Sequence, residues 1–132
     1  MKTLFLLTAL LFAVTLSSSS AVVSKAAPEG KKQKAVTQFS QPVRLMGVVL
    51  KGEYLFVHDD AAMMRGETCT FVYKGNAEVA SKLVLSFHCT PAQRAKVDSF
   101  TVRMQDVGAG ITELREFQFG RDTEAHLVPL SK

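Results

Sequence analysis

The sequence predicts an all-β domain, a small antiparallel β-sandwich or barrel of about seven strands with one or two short helical turns. Three observations carry this. From Val43 onward, short apolar runs rich in Val, Phe, Tyr, Thr and Leu are separated by turn residues. The breaks recur roughly every 8–12 residues, the spacing of consecutive short strands. No segment after the N-terminal leader has the length and 3.6-residue period of a long helix.

The elements follow in order. "VRLMGVVL" (43–50) and "EYLFVH" (53–58) are strand candidates, and the intervening Lys51–Gly52 predicts a tight hairpin with Gly52 at positive φ. "DDAAMMRG" (59–66) predicts one helical turn. Asp59 and Asp60 are good N-cap residues, Ala and Met favour helix, and Gly66 suits the position just past a helix end. Met63 or Met64 is expected to fold under and plug the end of the core, because Met fills irregular gaps. "ETCTFVY" (67–73) and "KLVLSFHC" (82–89) are the next two strands. "CTPAQRAK" predicts a second helical turn, with Thr90 as N-cap, Pro91 at the first helical position and Gln93 closing a capping box. "DSFTVRM" (98–104), "ITELREFQF" (111–119) and "EAHLV" (124–128) complete the set, with a turn at "GAG" (108–110). Leu114 is out of phase with Phe117 and Phe119, which predicts a bulge or burial on both faces.

The N-terminus has a different character. Lys2 supplies a positive n-region, Leu4 to Leu16 form an apolar core, and Ser19 and Ala21 suit signal peptidase. Residues 1–21 therefore read as a secretory signal peptide, residues 22–38 as a disordered basic linker, and residues 39–132 as a single β domain. The apolar core is too short to span a bilayer, which takes roughly 20 residues. The chain has 16 basic and 12 acidic residues, but residues 35–132 hold 11 of each. The excess positive charge sits in the leader and in "KAAPEGKKQK". The β domain thus lacks the basic face expected of a nucleic-acid binder.

The two cysteines, Cys69 and Cys89, would meet an oxidising compartment after export. Strand alternation puts Cys69 with Phe71 and Tyr73, and Cys89 with Leu83, Leu85 and Phe87. A hairpin centred on residue 79 sets residue 69 opposite 89. The expectation is a Cys69–Cys89 disulfide worth on the order of 3 kcal/mol in the chain-entropy model.

The histidines, His58, His88 and His126, show no short ligand spacing of the H-x-x-x-H kind. His88 and Cys89 are adjacent on a strand and point to opposite faces. An alternative metal set, His58, Asp60 and His88, would form only if their strands were neighbours; a carboxylate with two imidazoles suits zinc or copper. Otherwise no metal or other cofactor is expected. There is no G-x-S-x-G elbow, Gly-rich phosphate loop or H-E-x-x-H motif, so the sequence points away from an enzyme and names no catalytic residue.

The run "FSQPVRLMGVVLKGEYLFVHDD" (39–60) resembles the opening of small exported bacterial β-proteins, in which a strand containing Pro-Val leads into G-x-x-L-x-x-G-x-Y-x-F. The matching residues are Gly47, Leu50, Gly52, Tyr54 and Phe56, with one residue fewer between Leu50 and Gly52. The resemblance implies an exported bacterial β fold and no activity or site residues.

The function these features suggest is an exported, non-enzymatic binding or structural β-domain, periplasmic or secreted, with an envelope or extracellular protein as the class of partner. A copper- or zinc-binding protein is the alternative.

Overall fold

The computed structural model describes residues 31–130. The predicted signal peptide and residues 22–30 lie outside the described residues. The fold is all-β. Its strands are β1 (Lys32–Leu45), β2 (Val48–Asp59), β3 (Thr70–Lys74), β4 (Leu83–Phe87), β5 (Thr90–Gln93), β6 (Thr101–Asp106), β7 (Thr112–Gln118) and β8 (Glu124–Leu127). A five-residue helix, α1 (Asp60–Met64), and a 3-10 turn at Ala80–Lys82 complete it.

All eight strands belong to one sheet, in the order β4-β3-β2-β1-β7-β8-β5 with β6 on the other edge of β7. The sheet curls into a half-barrel, which fits the barrel alternative of the expectation, with a single sheet folded over its own core in place of two packed sheets. It is also mixed, because β1 and β7 meet in parallel at Arg44 and Glu113. The expected strand count was one short because Thr90–Gln93, expected as a helical turn, is strand β5 paired with β8. Pro91 is tolerated there at the end of the sheet order, where its missing N–H costs no ladder bond.

The β1–β2 hairpin departs most from expectation. Its turn is Met46–Gly47, both at positive φ (48° and 83°), with Leu45 opposite Val48. This is the two-residue turn whose twist matches a hairpin. Lys51 and Gly52 lie inside β2. Gly52 does take positive φ (96°), but it faces Phe39 where β1 bulges between Phe39 and Val43. Pairing with β2 begins at Lys32, opposite Asp59, so residues 32–38 of the expected linker are strand.

The core lies inside the curl. Phe39, Val43, Leu45, Leu50, Tyr54, Phe56, Val72, Phe87, Leu114, Phe117 and Phe119 fill it. Phe56 is its hub, with ring centroids of Phe100 and Phe117 at 5.3 and 5.6 Å. Strand β2 is also buried on its other face, where Leu55 and Val57 pack with Tyr73 and Phe71. The bulge expected at Leu114 is present: Glu116 faces Arg103 and Leu114 faces Met104, leaving Arg115 as the extra residue on β7. That shift puts Leu114, Phe117 and Phe119 in the core together. Glu116 and Gln118 then face away and are covered by Arg94 and Arg103, which bond to Glu116 and, in the case of Arg103, to Gln118.

Candidate metal centre

Four elements converge at one end of the core. His58 occupies the last turn-ward positions of β2, where its parity with Tyr54 and Phe56 aims it inward, and it is fully buried. Cys69 immediately precedes β3, and its N–H donates to the Phe87 carbonyl at 3.2 Å. Cys89 lies just past the end of β4, and His126 is on β8 at the parity of core residue Val128. Both cysteines and both histidines have no exposed surface.

Their donor atoms meet around the Cys89 sulfur. Cys69 Sγ is 3.2 Å from it, His58 Nε2 3.3 Å, His126 Nδ1 3.6 Å and Met63 Sδ 4.0 Å. The ligand atoms of His58, Cys69 and Cys89 all lie within 4.8 Å of one another. The two imidazoles stack, with centroids 3.9 Å apart and planes 35° from parallel. Phe117 backs His126 at 5.0 Å. Both thiols are free.

The register explains how the cysteines come together. Thr70 faces Phe87 and Phe71 faces Ser86, so the ladder places residue 88, not 89, opposite 69. The expected centre at residue 79 is half a residue too far. Paired strand ends at Phe87, but alternation carries on past it, so His88 faces solvent and Cys89 points inward with Leu85 and Phe87. Cys69 also departs from its expected face. It joins the inner core with Val72 and Phe87, while Phe71 and Tyr73 pack on the outer face. The two sulfurs stand well beyond the roughly 2.05 Å of a disulfide bond.

Helix α1 covers the cluster. Asp59, the true N-cap, accepts from the N–H groups of Ala61 and Ala62 at 3.0 and 3.2 Å. Gly66 follows the C-cap at φ +72°. Asp60 is thereby freed for a different contact: its Oδ1 lies 2.9 Å from His58 Nδ1, at ion-pair distance but off hydrogen-bond alignment. A carboxylate behind a ligating imidazole is a recurrent feature of metal sites, where it fixes ring orientation and raises basicity. Of the two methionines, Met63 folds under and Met64 is exposed.

Burial governs the protonation states. Together with the neighbouring His58 it lowers the His126 pKa to about 4. Burial also lowers His58, against the opposing pull of Asp60. Burial pushes the Cys89 thiol up to about 12, against a hydrogen bond from Thr70 that favours the thiolate. At neutral pH without a ligand the cluster therefore holds neutral imidazoles and a protonated Cys89. Nε2 of His126 is buried and unpartnered.

Of the alternative metal set, His58 and Asp60 are brought together and His88 is excluded by its exposure. His126 was missed. Its shared parity with Val128 in "EAHLV" was the available signal that it points inward. The surface grooves of about 290 and 200 Å³ line the β1 bulge and the Ile111 loop, away from every member of the cluster. Among the described residues no helix is long and apolar enough to cross a membrane. No protein-family model, characterised protein or solved structure matches the chain.

Proposed function

We propose that this protein is an exported, non-enzymatic β-domain that binds a soft metal ion, zinc(II) or copper(I), through Cys69, Cys89 and His58, with His126 beside them. One observation carries the reading: two thiols and an imidazole nitrogen from three separate segments lie within 4.8 Å of one another in the core. Tetrahedral zinc with ordinary bond lengths sets sulfurs ~3.8 Å apart and sulfur and nitrogen ~3.6 Å apart. The sulfur–nitrogen separations at Cys89, 3.3 and 3.6 Å, lie within about 0.3 Å of the latter, and the sulfurs, 3.2 Å apart, would have to open by about 0.6 Å, a side-chain adjustment. The donor set is the soft S/N mixture that zinc and copper(I) prefer. Complete burial of these ligands favours a closed, structural or storage site over a catalytic one, which keeps an open position. Export rests on the leader, from Lys2 through Leu4–Leu16 to Ala21. N-terminal sequencing of exported protein should then begin at Val22 or, from a second cleavage site, at Ala27.

The 3.2 Å between sulfurs favours one second reading, a Cys69–Cys89 disulfide formed in an oxidising compartment. Metal analysis and non-reducing peptide mapping of the same sample separate the two. Bound metal with both thiols recoverable supports the metal site. Linked 69 and 89 peptides with no metal support the bridge, whose loss would cost on the order of 2–5 kcal/mol.

A further inference from the structure

We propose that the ion is copper(I) and that Met63 is its thioether ligand and point of entry. This rests on the metal-binding reading above and names the metal. Helix α1 holds Met63 in place. Its start is capped by Asp59, the Asp60 N–H donates to the Lys31 carbonyl at 3.0 Å, and the Glu67 N–H donates back to Ala62 at 3.0 Å. The Met63 sulfur is thereby fixed 4.0 Å from Cys89 Sγ, which also has Cys69 Sγ at 3.2 Å.

Exposure supplies the second argument. His58, Cys69, Cys89 and His126 are all sealed from solvent. Met63 is half-buried, and it is the one sulfur or nitrogen donor among those around Cys89 that reaches the surface; Met64 stands exposed beside it on the same helix. An ion approaching across α1 therefore meets a thioether first. Thioethers are neutral, soft ligands that suit copper(I) and offer zinc(II) little. The Asp60 carboxylate addresses the outer nitrogen of His58 instead of the sulfurs.

The test uses anaerobic, reduced protein and its Met63→Leu variant, a volume-conserving change. Copper(I) affinity is measured by competition with bicinchoninate, and zinc(II) affinity by competition with nitrilotriacetate. The expected result is a loss of about tenfold or more in copper(I) affinity with zinc(II) affinity unchanged, in line with what ligand-sphere changes cost. Equal copper(I) affinities for the two proteins, or a parallel loss for both metals, would overturn the role of Met63 and leave the Cys–His site standing. If reduced, folded wild type takes up neither metal, the metal-binding reading itself fails. Copper K-edge absorption of the wild type gives a check independent of the variant's folding. Three sulfur neighbours support Met63 ligation, and two or fewer overturn it.

Discussion

The Nε2 atom of His58 lies 3.3 Å from the sulfur of Cys89, although 31 residues separate them and neither has any exposed surface. Strand β2 carries one and the chain end beyond β4 carries the other. The curl of the sheet adds His126 from β8 on the same side. A change at any of these residues should therefore act on one shared site.

The first prediction concerns Asp59 and Asp60, adjacent residues with separate roles. Asp59→Ala removes the cap of α1 and should cost about 1 kcal/mol, read as a shift in urea midpoint. Asp60→Ala leaves the cap intact and removes the carboxylate behind His58. It should weaken metal binding about 10-fold or more with little effect on metal-free stability. Interchanged effects would mean that the two carboxylates have been assigned to the wrong tasks.

The second concerns pH. His126 titrates near 4 in the folded protein and near 6.5 when unfolded. Between these values the unfolded chain binds the extra proton. Stability of the metal-free protein is thus full above pH 6.5 and declines as pH falls toward 4, by up to on the order of 3 kcal/mol for this residue. His58, lowered in the same direction, adds to the decline. Denaturant titrations at pH 7.5, 5.5 and 4.5 should show it, and His126→Gln should flatten the curve. A stability independent of pH across this window would contradict the buried, neutral state of His126.

The third concerns the hairpin. Gly47 holds φ +83° in a two-residue turn, where a β-carbon is disfavoured. Gly47→Ala should destabilise by about 1 kcal/mol. Gly47→Asn, which tolerates this conformation, should cost less. Thermal unfolding of the two variants checks the order.

The strands were legible because alternation is local, and so was the bulge, since Leu114 breaks phase with Phe117 within four positions. The helical turn was legible from its caps, although the choice between Asp59 and Asp60 depended on where β2 ended. The β1–β2 turn was hidden because Met46, packed against the core, is not a usual turn residue, whereas Gly52 advertised positive φ and spent it on a bulge. Thr90–Gln93 carried good capping signals, but pairing with β8 overrode them. The site was half visible. His58 and Asp60 are near neighbours in sequence, so their meeting is local. The approach of His126 and Cys89 depends on the sheet closing β8 toward β2, which no ligand spacing encodes. Alternation did separate His88 from Cys89 correctly, and it is His88 that faces solvent.

The most direct measurement is the metal-to-protein ratio after reduced, metal-free protein is reconstituted anaerobically with zinc(II) or copper(I) and passed over a desalting column, alongside a count of alkylatable thiols. The cluster predicts about one ion per chain with Cys69 and Cys89 protected, and loss of both ion and protection in the Cys69→Ser and Cys89→Ser variants. A folded wild-type protein that retains no ion, its two thiols reacting as freely as before reconstitution, would contradict it.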